Sequence, residues 1–175
     1  MPTSGMKRRR GLAGLIAWHY TTGLHFRGIV EAFQLGPARL RVQGAECAVL
    51  WFSLNQQWER TAERLDGEGG GSGGLDREKA HRLRRGRVRF GYPAEKCVPW
   101  PQLARKAGIP PHVRVDLERA GRKQGANPAD WCGVLNAIPL PILILEVQRG
   151  RHWVRLHDPG STAGPTKRFR GNPSV

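Results

Sequence analysis

The sequence predicts a single α+β domain with four or five strands and about as many helices. Its 175 residues suit one domain with short tails. Apolar runs typical of buried strands alternate along the chain with segments whose apolar residues recur at helical spacing. We expect the domain to span residues 11–158. It is flanked by basic segments rich in Gly, Ser and Pro, which we expect to be flexible arms, at residues 1–10 and 159–175.

The first two predicted elements are a strand and a helix. Residues 12–20 are apolar and aromatic, which favours a short buried strand that ends at His19 and Tyr20. Thr22 can cap the helix that follows, and Gly36-Pro37 can end it. One face of this helix carries apolar residues at the spacing i, i+3, i+4, i+7, namely Phe26, Ile29, Val30 and Phe33.

A second strand and helix follow before a glycine-rich segment. Residues 46–53 are apolar on both faces, as in a central strand of a sheet. Asn55 can cap a helix that continues to Leu65, because Trp58 and Leu65 share its apolar face. Residues 67–74 consist almost entirely of Gly and Ser and predict a flexible loop inside the domain, since neither side is large enough to fold alone.

The second half of the chain contains one distinctive strand. Residues 87–92 alternate apolar side chains with Arg87, Arg89 and Gly91, so we expect a half-exposed strand with a basic face. The other predicted elements are helices at 100–106 and 112–122, a helix start at 127–131, and a hairpin of strands 142–148 and 152–157.

The charge of the chain favours an anionic partner. Lys and Arg number 29 against 14 Asp and Glu, a formal net charge of +15. Such an excess attracts polyanions by counterion release and long-range steering, although a generally basic surface gives the same composition. We expect any nucleic acid to contact the basic strand and the residues before it, Arg84, Arg85, Arg87 and Arg89.

The remaining composition excludes several classes. The three cysteines are isolated in sequence and lack partners at metal-ligand spacing, so we expect neither a disulfide framework nor a metal site. No apolar run reaches the length of about 18 residues that a membrane-spanning helix needs. We therefore expect a cytoplasmic protein, with an oligomeric state that the sequence leaves open.

Three features, in this order along the chain, resemble the ADP-ribosyltransferase superfamily in its diphtheria-toxin-like and poly(ADP-ribose) polymerase branch. The first is the strand-end sequence Ala-Trp-His-Tyr-Thr-Thr at 17–22, which leads into an amphipathic helix. The second is Leu-Trp-Phe-Ser at 50–53, and the third is Glu146, the only acid in the apolar run 142–147. The resemblance implies a split, mostly antiparallel sheet and NAD bound in a cleft between the first two strands.

The resemblance also implies a role for each matching residue. His19 would bond the ribose of NAD, and the backbone after it would engage the nicotinamide amide. Trp51 stands where the family has a Tyr that stacks on nicotinamide, and it lacks the phenolic hydroxyl. The implied NAD-binding residues are His19, Tyr20, Thr21, Trp51 and Ser53. Glu146 would be the catalytic carboxylate, with Glu95 as the alternative, and ADP-ribose would pass to a nucleic acid or a protein.

Two other interpretations remain open at this stage. The chain could be a non-enzymatic nucleic-acid-binding module in which His19 and Tyr20 form a hydrogen-bonded core pair and Trp51 is a core residue. It could also be an interaction domain that keeps a degenerate transferase fold, in line with Trp51 in place of Tyr.

Overall fold

The computed structural model describes residues 12–42, 45–63 and 86–161. The predicted basic arm at 1–10, most of the tail at 159–175, the glycine-rich segment 67–74, and Arg84 and Arg85 lie outside the described residues.

Within these ranges the chain forms ten strands and three α-helices. The strands are β1 Ile16–Thr22, β2 Gln34–Leu35, β3 Ala38–Val42, β4 Ala45–Ser53, β5 Arg87–Pro93, β6 Val98–Pro99, β7 Trp131–Val134, β8 Ile138–Pro139, β9 Ile144–Arg149 and β10 His152–His157. The helices are α1 Gly23–Glu31, α2 Trp100–Lys106 and α3 Pro111–Lys123. No helix in the described ranges combines the length and apolarity needed to cross a membrane.

One large sheet organises the fold. Its strands follow the order β10-β9-β5-β1-β4-β7-β6, β3 pairs with the first part of β4, and β2 and β8 form a separate ribbon. All the pairings between described strands are antiparallel. The predicted α+β class with a mostly antiparallel sheet is confirmed.

The pairing is uneven at the centre of this sheet. β1 and β5 pair over the whole length of β1, from Ile16↔Pro93 to Thr22↔Arg87. On its other side β1 shares a single paired position with β4, Trp18↔Ser53. We call this interruption, where the backbone ladder between β1 and β4 is not continued, the β1–β4 opening.

The two faces of the sheet differ in chemistry. Side chains alternate along a strand, and directly paired residues share a face. The pairs Trp18↔Ser53, Tyr20↔Arg89 and Arg89↔Glu146 define one face, which we call the arginine face. It also carries Trp51, Arg87, Trp153 and Arg155. The opposite, aliphatic face carries Ala17, His19, Leu50, Phe52, Val88, Phe90 and Cys132.

Each face has its own hydrophobic cover. On the aliphatic face, Phe26 of α1 stacks on Phe90 at 6.2 Å between ring centroids. On the arginine face, α2 covers the β4–β7 side of the sheet through a second buried cluster. That cluster contains Val49, Trp100, Leu103, Ala104, Ile109 and Trp131. α1 and α2 thus lie on opposite sides of the sheet.

Six predicted elements agree with the structure to within two residues at each end, including the strand at 46–53 and the helix at 112–122, and the helix at 55–65 is wrong. The helix predicted at 100–106 is α2, and the strand at 87–92 and the final hairpin differ from their predicted ends by at most two residues. After β4 the chain is irregular, with a single 3₁₀ turn at Arg60–Glu63. Asn55 bonds Trp58 O and Gln57 N, and Gln56 Nε2 donates to Ile16 O, so side chains compete with helix hydrogen bonds.

The helix start predicted at 127–131 is also wrong in extent. Asn127 does cap a turn, accepting from Ala129 N at 3.2 Å, but the turn ends at Asp130 and strand β7 follows. A Cβ at Gly133 would collide with Leu50 O of β4, so only glycine permits this close approach of the two strands. The sequence did not predict β7 because its four residues are too few to show a strand pattern.

Candidate functional site

His19 lies at the β1–β4 opening and is held there by β4. Its Nδ1 is 2.8 Å from Trp51 O, and its ring stands edge-on to Phe52 at 6.0 Å between centroids. A carbonyl oxygen only accepts, so Nδ1 donates and the lone pair of the neutral ring is on Nε2. Nε2 makes no hydrogen bond to any described residue. Burial lowers the pKa of His19, against a smaller raising effect of the Trp51 bond, so the ring is neutral at neutral pH.

A cavity of about 330 Å³ lies at the end of β4 and the start of β7. This is the lower end of the size range of small-molecule pockets. The ladder pair Phe52↔Cys132 places Phe52 between His19 and the Cys132 wall of the cavity. The walls are mostly apolar and are formed by Leu12, Leu54, Ala94, Pro99, Ala129, Trp131 and Cys132.

Two polar groups next to the cavity lack partners within the described part of the chain. Trp131 is 7% exposed, and its enclosed Nε1–H has no acceptor there. Asp130 lies in the sequence between Ala129 and Trp131, which line the cavity, and it is half-buried. Its backbone carbonyl accepts a hydrogen bond from Leu54 N at 2.8 Å. Its carboxylate forms no ion pair or hydrogen bond with another described side chain. A buried or half-buried polar group without a partner is unfavourable unless water or a ligand satisfies it.

Trp51 contributes its backbone, and not its ring, to the surroundings of His19. Its indole projects to the arginine face and packs against Trp100 at 4.8 Å and Trp131 at 6.3 Å between ring centroids. The predicted stacking of the Trp51 ring on a nicotinamide bound at His19 therefore has no support in this geometry, because the two side chains are on opposite faces of the sheet.

Tyr20 and Ser53 also point to the arginine face and fix the segment after β4. The Tyr20 hydroxyl donates to Asn55 O, and burial raises the pKa of Tyr20 to about 12. Ser53 Oγ donates to Glu59 Oε2 at 2.8 Å, and Glu59 is 7% exposed. Glu59 also accepts from Thr61 Oγ1 at 3.0 Å, so this acid organises a turn. These contacts give both predicted NAD ligands a structural role.

Thr21 is buried and follows His19 by two positions along β1, so the two residues share the aliphatic face. Thr21 and His19 thus lie on one face of the sheet, and the side chains of Tyr20 and Trp51 lie on the other.

Glu146 is buried in an ion-pair network two strands away from β1. It is 5% exposed, and its Oε2 accepts from Arg89 Nε at 2.7 Å and Nη2 at 2.5 Å. Its Oε1 accepts from Arg155 Nε at 3.0 Å. The charge that a functional carboxylate would offer is compensated here, and the side chain lies on the face opposite His19. The alternative, Glu95, is exposed on the turn Ala94–Lys96.

The expectation that Arg89 belongs to an exposed basic face is wrong, since Arg89 is 7% exposed. Its guanidinium lies between two indoles, 3.8 Å from the Trp18 centroid and 4.2 Å from the Trp153 centroid, and Nη1 donates to Gln56 O at 2.5 Å. Arg87 is half-buried and lies 4.3 Å from the Trp58 ring centroid. Glu146 supplies the counter-charge that makes the burial of Arg89 possible.

The sequence contained a weak signal for Asp130. Asn-Pro-Ala-Asp-Trp at 127–131 combines a capping residue with an acid and an aromatic residue, and its neighbours Ala129 and Trp131 line the cavity, whereas Asp130 borders it. Comparisons of the chain with protein-family models, with curated proteins and with solved structures give no match. The family resemblance of residues 17–22 and 50–53 therefore stays a prediction.

Proposed function

We propose that this protein is an ADP-ribosyltransferase-like enzyme that binds NAD at His19 and the adjoining cavity. The observation that carries the proposal is His19 itself, a neutral imidazole at the β1–β4 opening with Nδ1 bonded to Trp51 O and Nε2 left to accept a hydrogen bond. The single paired position between β1 and β4 supports the finer fold assignment, a split sheet with a ligand between these strands.

The binding chemistry follows from the groups present. His19 Nε2 accepts a hydrogen bond from a ribose hydroxyl. The apolar walls, including Leu54 and Ala94, suit the planar nicotinamide ring. The cavity has room for one end of the dinucleotide and not for all of it, so the adenosine part would lie outside.

In this proposal Asp130 replaces Glu146 as the carboxylate of the reaction. Cleavage breaks the bond between the ribose carbon and the nicotinamide nitrogen, and the electron pair leaves with nicotinamide. Positive charge then develops on the ribose, and a fixed carboxylate beside it lowers the energy of this transition state. The acceptor oxygen or nitrogen bonds to the same carbon and releases its proton to solvent. Water as acceptor gives ADP-ribose, and a nucleic acid or protein gives the transferred product.

Two roles are withdrawn from the sequence prediction for physical reasons. Glu146 is paired with two guanidinium groups and is unsuited to stabilise a new cation. The Trp51 ring is committed to the cluster with Trp100 and Trp131. In the proposal His19 and Thr21 keep the NAD-binding roles that the resemblance implies.

A calorimetric titration with NAD tests the binding step. Wild-type protein should bind NAD, and His19→Gln should weaken binding about tenfold or more, since the hydrogen bond that Nε2 accepts from the ribose is lost. His152→Gln, which changes an exposed histidine on β10, is the matched control and should bind as wild type does. Absence of NAD binding by the wild type at millimolar ligand, or equal binding by His19→Gln, would contradict the proposal.

A further inference from the structure

We propose that the arginine face carries a binding surface for single-stranded nucleic acid, formed by Trp58, Trp153, Arg87 and the tip of the β9–β10 hairpin. We call it the Trp–Arg surface. It lies across the sheet from His19, so it is a separate site and does not depend on the proposed NAD chemistry. Arg87 is the member of the sequence-predicted nucleic-acid residues that belongs to it.

The aromatic part is two nearly parallel indoles. Trp58 and Trp153 are both partly exposed, their planes differ by 14°, and their centroids are 6.4 Å apart. Each has a guanidinium against its ring, Arg87 on Trp58 at 4.3 Å and Arg89 on Trp153 at 4.2 Å. Trp153 Nε1 also donates to Gln57 O at 3.1 Å. Rings held in this way are pre-ordered platforms on which bases stack.

The charged part is at the same end of the sheet. Arg149 and Arg151 are exposed in the hairpin turn on either side of Gly150, which has a φ of 60°. Arg149 follows Val147 by two positions and therefore projects from the aliphatic side of β9, so the charge at the tip is shared by both faces of the sheet. The pair Val88↔Val147 places Arg87 at the β9 end that leads into this turn. Neither Arg149 nor Arg151 forms an ion pair with a described residue, so both are available to phosphates.

The acids near this surface do not cancel its charge. Glu146 is enclosed by Arg89 and Arg155, and Asp158 is paired with Arg155 at 2.7 Å near the end of β10, away from the turn. The exposed charge at the hairpin tip is therefore positive.

The combination points to single strands in preference to duplexes. Only unpaired bases offer their faces for stacking on indole, whereas phosphates alone would serve either form. A purely electrostatic surface needs no ordered pair of tryptophans, and an acidic polypeptide offers carboxylates without aromatic faces.

The test is fluorescence anisotropy of the full chain with a short single-stranded oligonucleotide, a duplex of the same length, and polyglutamate. The charge variant is Arg149→Gln with Arg151→Gln, and its control is Arg105→Gln with Lys106→Gln. The control removes the same charge from exposed positions of α2. Comparing these two separates the hairpin tip from the basic character of the whole chain.

We expect the wild type to bind the single strand at least about tenfold more tightly than the duplex, as base stacking contributes to each contact. The charge variant should lose affinity about tenfold and lower the slope of log K against log salt by about one to two, as two phosphate contacts require. The control should stay within about twofold of the wild type. Trp153→Leu should remove the preference for single strands, and Trp153→Phe should keep most of it.

Three results would overturn the proposal. In the first, the wild type does not bind the single strand. In the second, the charge variant and the α2 control lose the same affinity for it. In the third, polyglutamate binds as tightly as the oligonucleotide, which would indicate a protein partner. The Trp153 variants alter packing against Arg89, but the charge variant alters only the exposed turn and tests the surface without threatening the fold. His19→Gln should bind the oligonucleotide normally.

Discussion

Replacing Glu146 with Ala should lower the free energy of unfolding by about 3–5 kcal/mol, because it leaves Arg89 charged and buried without its partner. In the structure the side chains of Arg89 and Glu146 are 8% and 7% exposed, and two nitrogens of Arg89 donate to one oxygen of Glu146. Solvent cannot compensate a charge enclosed to this extent.

The contribution of Arg155 to this loss is small. Its side chain is 47% exposed, so its pairing with Glu146 is screened and contributes about 0–1 kcal/mol. Nearly all of the effect therefore comes from Arg89. For a chain of this size, about 2–4 °C of melting temperature corresponds to each kcal/mol, so the midpoint should fall by roughly 6–20 °C.

Urea denaturation followed by circular dichroism measures this loss. Glu95→Ala is the matched control, since Glu95 is exposed and its removal should change stability by less than about 0.5 kcal/mol. The double variant Arg89→Met with Glu146→Leu should recover to within about 2 kcal/mol of the wild type, because no unpaired charge remains buried. If Glu146→Ala were as stable as Glu95→Ala, the reasoning about a buried ion pair would be refuted.

Three further predictions concern single residues. Burial lowers the pKa of His19 in the folded state below its usual 6.5, so the stability that the neutral ring contributes is present above about pH 6.5 and is lost as pH falls. His19→Gln should flatten the dependence of the free energy of unfolding on pH in this range, which urea denaturation at several pH values measures. In Tyr92→Phe, the remaining Tyr20 should ionise near pH 12 in ultraviolet absorbance, and ionisation near 10 would contradict its burial. Gly91→Ala should lower the free energy of unfolding by about 1–3 kcal/mol, because the new Cβ would lie 2.8 Å from Trp18 Cζ3. The control is Gly28→Ala in α1, where a Cβ meets no atom, and it should raise the free energy of unfolding by about 0.5–1 kcal/mol. Urea titrations measure both.

The sequence predicted those elements whose pattern is local and repeated. α2, α3, β5 and the β9–β10 hairpin differ from the prediction by at most two residues at each end. α1 is shorter than predicted: it ends at Glu31, before the expected stop at Gly36-Pro37, and Phe33 of the expected apolar face lies beyond it, 64% exposed and with a φ of 53°. The segment after β4 failed because its apolar residue Trp58 packs against Tyr20 and Arg87 and not along a helix face. Local periodicity cannot distinguish these two uses of an indole.

The candidate site was predictable only in part. The sequence predicted a strand that ends at His19 and Tyr20, but β1 continues to Thr22, so His19 lies inside the strand with Thr21 two positions further on. The separation of Trp51 and Glu146 from His19 depends on strand register, in which a shift of one position moves a side chain to the other face. Asp130 gains significance only from the cavity at the start of β7, and no sequence spacing encodes that neighbourhood.

The central claim, that Asp130 and not Glu146 is the carboxylate of the reaction, is tested most directly by nicotinamide release from NAD. The variants are Asp130→Asn and Glu146→Gln, and each is measured at a temperature where circular dichroism shows that it is folded. The structure predicts that Asp130→Asn binds NAD as the wild type does but lowers kcat about a hundredfold or more, the usual loss when a charge-stabilising group is removed. It predicts that folded Glu146→Gln keeps a kcat within a few-fold of the wild type. Normal turnover in Asp130→Asn together with abolished turnover in folded Glu146→Gln would contradict it.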